Sequence, residues 1–136
     1  IFALTIALDQ ITKYLARTFL DIGESKKVLP FLYLTHAQNT GASFSILQGK
    51  NILLTLLAIV VLFIVIYVFY KEKNTKVRII IAFFSAGLVG NLIDRLIFGS
   101  VTDFIDFRIW PIFNIADSAI TLSVIALIYF SLIEKR

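Results

Sequence analysis

Residues 52–70 run for nineteen positions without a single charge. As an α-helix, such a run extends roughly 28 Å at about 1.5 Å per residue, close to the hydrocarbon thickness of a bilayer. A soluble domain of 136 residues has too little interior to bury it. With 59% hydrophobic residues and only 16% charged, the rest of the chain offers little polar surface to compensate, and lipid is the solvent this composition demands.

Three further apolar runs accompany the first. Residues 79–98 are interrupted by Asn91, Asp94 and Arg95; residues 115–133 carry Asp117 near their start; residues 1–20 carry Asp9, Lys13 and Arg17. The expected fold is therefore an all-α integral membrane protein, one membrane domain over residues 1–136 with four transmembrane helices at about 1–20, 52–70, 79–98 and 115–133. The connection 71–78 holds four basic residues and one acid, and the chain ends Glu134-Lys135-Arg136. Both belong on the cytoplasmic side by the positive-inside rule. Both termini are then cytoplasmic, and segments 21–51 and 99–114 are extracytoplasmic. Alternation over residues 31–37 predicts a half-buried strand, and residues 101–107 are its expected partner in a small extracytoplasmic β-sheet. Because the sequence starts without Met and places only eight residues before Asp9, an upstream piece is expected.

No cysteine and one histidine, His36, are present. Thiol chemistry is excluded, and the three-ligand catalytic zinc pattern is not supported. No metal and no cofactor is expected. The net charge of +4 is not gathered into a patch interleaved with aromatics, so nucleic acid is not an expected partner.

An ionised group inside a spanning helix costs about 2.5–3.5 kcal/mol on insertion scales, so each one requires a reason. Asp9, Lys13 and Arg17 share one helical face at i, i+4 and i+8, with the acid ahead of the base in the favourable order. A self-neutralising stripe facing the bundle is the simple account, with Arg17 snorkelling to the interface. Asn91, Asp94 and Arg95 share a second face behind Gly87 and Gly90, which permit close helix approach. There Arg95 can neutralise Asp94 in a structural knot. Asp103 and Asp117 have no cation at helical spacing, Arg108 being the only one nearby. Asn114-Ile-Ala-Asp117 also has the spacing of a helix capping box, and Asp103 and Asp106 read equally well as solvated loop acids.

If the fold brings Asp103 and Asp117 together, two adjacent carboxylates hold one proton between them. The ionised member can deprotonate water while the protonated member donates to a peptide carbonyl. Asp117, in the first turn of a helix, is favoured as the anion by the helix dipole, leaving the proton on Asp103.

Five segments carry a family resemblance: Asp9-Gln10-Ile11-Thr12-Lys13, Asn39-Thr40-Gly41-Ala42-Ser43-Phe44, Gly90-Asn91-Leu92-Ile93-Asp94-Arg95, Val101-Thr102-Asp103-Phe104 and Phe113-Asn114-Ile115-Ala116-Asp117-Ser118. In this order, between four apolar runs, they resemble the motif blocks of lipoprotein signal peptidase (signal peptidase II). The resemblance implies a bacterial inner-membrane aspartic endopeptidase that removes the signal peptide of prolipoproteins before the diacylglyceryl-modified cysteine. It implies Asp103 and Asp117 as catalytic residues and Asn39, Gly41, Asn91, Arg95 and Asn114 around the substrate, with Gly41 in a tight turn beside its backbone. Asp9, Lys13 and Asp94 are implied as structural polar residues. A short amphipathic segment at residues 45–51, a monomeric state and inhibition by the peptide antibiotic globomycin are implied as well. Only thirteen residues separate Asp103 from Asp117, fewer than in many members, and Ser43 stands where Ala is more common.

Other membrane functions fit less well. A channel or transporter needs a polar path to which residues 52–70 add nothing, and a scaffold does not explain acids at the outer boundary. A serine intramembrane protease needs converging Ser and His, whereas His36 falls in the expected strand. The paired YD and GxGD motifs of presenilin-type proteases are missing.

Overall fold

The computed structural model describes residues 1–41 and 48–133, the side chain of Ile133 excepted. Its elements are α1 (Phe2–Phe19), β1 (Ser25–Leu29), β2 (Leu32–Asn39), α2 (Asn51–Lys71), α3 (Thr75–Phe98), β3 (Val101–Asp106) and α4 (Ile115–Ile133). Residues 45–47 of the expected amphipathic segment lie outside the described residues, Gln48 and Gly49 form a turn, and Asn51 already belongs to α2.

Helix α2 buries none of its side chains. A helix apolar on every side and packed chiefly against α3 presents the rest of its surface to lipid. Among the described residues, three helices are long and apolar enough to cross a membrane: Asn51–Lys71, Thr75–Phe98 and Ile115–Leu132. Helix α1, of 18 residues, is interrupted by Asp9, Lys13 and Arg17, and the face it buries is Thr5, Asp9, Lys13 and Ala16. Its polar stripe points into the bundle, as the spacing predicts.

Helix α3 begins four residues earlier than the apolar run suggests. The Asn74 side chain accepts hydrogen bonds from the Lys76 and Val77 amides, capping donors that would otherwise be orphaned. Most of the basic segment expected as a loop over 71–78 is thus helical. Gly99, at φ 72°, closes the helix in the left-handed conformation that glycine adopts without penalty.

Close packing at the centre of the bundle depends on two glycines. A Cβ on Gly87 would stand 2.5 Å from the Ala116 carbonyl oxygen of α4, and one on Gly90 would stand 2.6 Å from the Asp9 carboxylate of α1. Helix α3 therefore sits against both neighbours at a distance no side chain permits.

The sheet is antiparallel in the order β1-β2-β3. Strand β2 pairs Ala37 with Asp103 and Asn39 with Val101, with an irregularity between Leu34 and Ala37. The strand expected from alternation and its expected partner are both present. Strand β1 (Ser-Lys-Lys-Val-Leu) gave no sequence signal because it is an exposed edge with no buried face to impose a period of two. The contacts that fasten the sheet to the helices include His36 Nδ1, 2.9 Å from the Leu20 carbonyl at the end of α1, and the Thr102 amide, which donates to Asp94 of α3 at 2.9 Å.

Candidate active site

Polar side chains in the bundle form two layers. The inner layer is ionic. Lys13 Nζ lies 2.8 Å from Asp9 and 3.6 Å from Asp94, and Arg17 Nη1 lies 3.5 Å from Asp94. Asp9, Lys13 and Asp94 are wholly inaccessible to solvent. Charges so deeply buried persist only when paired and fully hydrogen-bonded. Here Asp9 accepts from the Ala116 amide at 2.8 Å, and Gln10 donates to Asp94 at 3.2 Å and to the Gly90 carbonyl at 3.1 Å. Gln10, Thr102 and the Ala116 amide were not singled out from sequence. Gln10 sits inside the first motif block, whereas a backbone amide carries no sequence signal.

Two expectations are corrected in this layer. Arg95 does not neutralise Asp94. Neighbouring residues on a helix do not face each other, so Asp94 turns to α1 while Arg95 Nη2 donates to the Gly41 carbonyl at 3.3 Å. Nor does Arg17 snorkel. Its guanidinium donates to Thr102 Oγ1 at 2.9 Å and lies 4.3 Å from the centre of the Phe98 ring, a cation–π contact that favours the interior position.

The outer layer contains Asp103 and Asp117 and is held by neutral amides. Asp103 is buried in β3, where it accepts from Asn114 Nδ2 at 2.7 Å and from Asn39 Nδ2 at 3.0 Å. Asp117 accepts from Asn91 Nδ2 at 2.8 Å and from the Asn114 amide at 3.2 Å. Asn114 thus contacts both carboxylates. Its own Oδ1 accepts from the Asp117 amide at 2.8 Å, completing a reciprocal capping box at the start of α4. The structural reading of Asn114 and Asp117 and their convergence on Asp103 hold together, because one asparagine does both.

Asn91 joins the layers. Its Oδ1 receives a hydrogen bond from Lys13 at 2.9 Å and another from Asn114 Nδ2 at 3.1 Å. An ammonium can only donate, so the Asn91 amide is fixed with its NH2 toward Asp117. The Gly41 amide donates to Asn39 Oδ1 at 2.9 Å, an Asx-type turn that orients the Asn39 amide toward Asp103. Asp106, one of the expected loop acids, is instead buried: it accepts from Thr35 at 2.7 Å and pairs with Arg108 at 3.4 Å.

Asp103 and Asp117 line a common cavity of about 680 Å³. Its walls are Asn39 from β2, Trp110–Phe113 after β3, and Ser118, Thr121 and Leu122 of α4. A second hollow of about 170 Å³ behind Asp117 is lined by Asn39, Asn91 and Arg95. Among the described residues, neither Asp103 nor Asp117 is in an ion pair, and no three His, Asp or Glu side chains converge as metal ligands. Burial first, and the neighbouring Asp117 carboxylate second, push the Asp103 carboxyl up to about 7, against the opposing hydrogen bonds from Asn39 and Asn114. A proton at Asp103 near neutrality and two carboxyl groups facing one cavity suit general acid–base chemistry on a bound carbonyl.

The family model described as signal peptidase (SPase) II matches residues 1–133. A lipoprotein signal peptidase of Enterococcus faecalis is 38% identical over 98% of this chain and 86% of its own length. One from Staphylococcus aureus (strain JH9) is 42% identical over 90% of this chain and 80% of its own length. Two solved bacterial membrane enzymes, determined by the in meso method at 2.3 Å and 1.9 Å resolution, superpose with TM-scores of 0.94 and 0.88. They are 39% and 40% identical to this chain, covering 98% and 96% of it and 86% and 89% of their own chains.

Proposed function

The chain belongs to the signal peptidase II family, and from that premise we propose that it is a membrane aspartic endopeptidase removing the signal peptides of prolipoproteins. The observation that carries this reading is the pairing of Asp103 and Asp117 on one cavity, each held by amide donors and neither cancelled by a cation.

In this reaction Asp117 is the anion. It lies in the first turn of α4, where the helix dipole and the Asn114 amide favour negative charge. It takes a proton from a water in the cavity, and the oxygen of that water bonds to the scissile carbonyl carbon. Asp103 gives its proton to the carbonyl oxygen, so a neutral tetrahedral diol forms. The proton on Asp117 then passes to the amide nitrogen, and the C–N bond breaks. One diol hydroxyl returns its proton to Asp103 as the carbonyl re-forms, leaving a carboxylic acid and an amine. Asn91 holds Asp117 in register, and Asn39 and Asn114 hold Asp103. The Gly41 carbonyl and the Arg95 guanidinium flank the substrate backbone from the β2 side, the second hollow lying against Arg95.

The substrate is a prolipoprotein whose cysteine carries a diacylglyceryl group, and cleavage falls before that cysteine. Helix α1 is the fourth span. Its charges face the bundle and its outer face shows Leu4, Leu8, Ile11 and Leu15, a surface suited to lipid. Both termini lie in the cytoplasm of the bacterial cell, the sheet and cavity lie at the outer face of the inner membrane, and the chain acts as a monomer. A gel-shift assay tests the reading: the purified full chain converts lipidated prolipoprotein to the shorter form, and globomycin blocks the conversion. No conversion by folded protein contradicts it.

A further inference from the structure

Hydrophobic side chains also stand exposed on the sheet, away from the helices. The β1–β2 turn presents Leu29 and Phe31, and the segment after β3 presents Ile109 and Trp110. Ile109 is 93% exposed and Phe31 61%. The two places are joined by stacked aromatics, Phe31 on Phe107 with ring centroids at 6.4 Å and Phe107 on Phe113 at 5.9 Å. Phe113 is two residues ahead of α4, so this apolar ridge begins where a lipid-facing helix begins. An apolar ridge held in water costs free energy with no return and marks an interaction surface.

The groups beside the ridge are those of a membrane interface. Lys27 Nζ and Arg108 Cζ lie 6.0 Å and 4.0 Å from the centre of the Tyr33 ring, placing two cations and an amphipathic aromatic next to the exposed apolar atoms. Arg108 has φ 66°, a backbone conformation that L-residues rarely adopt, at the turn leading into Ile109 and Trp110. Such a conformation persists where the surroundings require it. Trp and Tyr at headgroup level, with Lys and Arg toward phosphate and aliphatic atoms below, is the pattern of an interfacial segment.

We infer that the ridge formed by Leu29, Phe31, Ile109 and Trp110 seats in the outer leaflet, with Lys27 and Arg108 at the phosphate level. The sheet is then a second, interfacial contact with the bilayer beside the spanning helices. Because Trp110 also lines the cavity of Asp103 and Asp117, the cavity mouth opens at lipid level, and a lipid-modified substrate reaches it without leaving the membrane. This inference rests on the proposed placement of the sheet at the outer face, and not on the cleavage chemistry.

Trp110 is the only tryptophan in the chain, so its fluorescence reports on the ridge without labelling. The full chain is reconstituted at low protein density in phosphatidylcholine vesicles containing a minority of phosphatidylglycerol. The expected result is blue-shifted emission, strongly quenched by bromines placed near the carbonyl end of the acyl chains and weakly by aqueous iodide. Moving the reporter to the hairpin tip with W110F and F31W should give the same pattern. Replacing Phe31 and Ile109 together (F31E, I109E) should shift the Trp110 emission to the red and raise iodide quenching, with thermal unfolding showing that the fold is retained. Iodide quenching without bromolipid quenching, for either reporter, overturns the inference. So does protection that arises only when lipidated prolipoprotein is added, or only as protein density rises, since the ridge would then dock substrate or a second copy. Cleavage activity is scored separately, so failure of the protease reading and failure of this one give different results.

Discussion

The two polar layers of the bundle solve the same problem in opposite ways. In the inner layer, Asp9 and Asp94 are completely buried and each meets a cation, Lys13 or Lys13 with Arg17. In the outer layer, the donors to Asp103 and Asp117 among the described residues are amide N–H groups of Asn39, Asn91 and Asn114 and of the backbone. Amide donors stabilise a carboxylate without cancelling its charge, so two carboxyl groups on one cavity remain in conflict and retain a proton. The ion-paired acids are settled and support the fold. The amide-held acids are left with a proton to exchange.

The sharpest way to break this contrast is to neutralise each acid of the outer layer and, separately, the cation of the inner one. Under the proposed mechanism D103N and D117N each remove a proton acceptor or donor, for which general acid–base effects of about 10²–10⁴-fold set the minimum loss. Cleavage of lipidated prolipoprotein should fall below detection in each variant, while thermal unfolding in detergent stays close to that of the parent. K13M should do the reverse at its origin. It strands the Asp9 carboxylate and leaves Asp94 with Arg17 alone, and breaking a buried pair costs about 3–5 kcal/mol, so the unfolding midpoint should drop steeply.

A smaller loss is expected from G90A. Its Cβ would fall 2.6 Å from Asp9 Oδ2, and overpacking of this kind costs about 1–3 kcal/mol. Unfolding should register it, with activity per folded molecule changed less than in D103N.

The mildest test is pH. Asp103 titrates at about 7 in the fold, so its proton is present below that value and lost above it. The cleavage rate should therefore fall as pH rises through about 7, approaching a tenfold loss per unit. The same shift acts on stability: the unfolded chain releases this proton near the ordinary value of about 3.9, so this group favours the fold most at low pH and progressively less up to about 7.

Legibility from sequence followed whichever physical constraint was local. Residues 52–70 announced α2 because lipid demands an uninterrupted apolar run, and the i, i+4, i+8 spacing of Asp9, Lys13 and Arg17 predicted one buried face. Strand β2 was legible from the alternation over residues 31–37, and β3, buried along nearly its whole length, as the partner that strand required. Strand β1 was not, since Lys26 and Lys27 occupy an exposed edge with nothing to alternate against. The start of α3 was missed because an apolar window ignores the Asn74 cap. Asp94 was assigned the wrong cation because adjacency in sequence is not adjacency on a helix, and its true partners lie on α1. The convergence of Asp103 and Asp117 was allowed by their positions at the outer boundary and implied by the family resemblance. The asparagines that hold them were in the same motif blocks, but which amide serves which carboxylate depends on the β2–β3 register and on Lys13 fixing Asn91.

Everything turns on a proton held by the outer pair and not by the inner acids. Infrared spectroscopy of the purified protein in detergent, titrated across neutrality, observes protonated carboxyl groups directly. The account predicts one carboxylic-acid C=O band that disappears as pH passes about 7, and that is missing from D103N throughout. A spectrum with no such band near neutrality, or one unchanged by D103N, would contradict it.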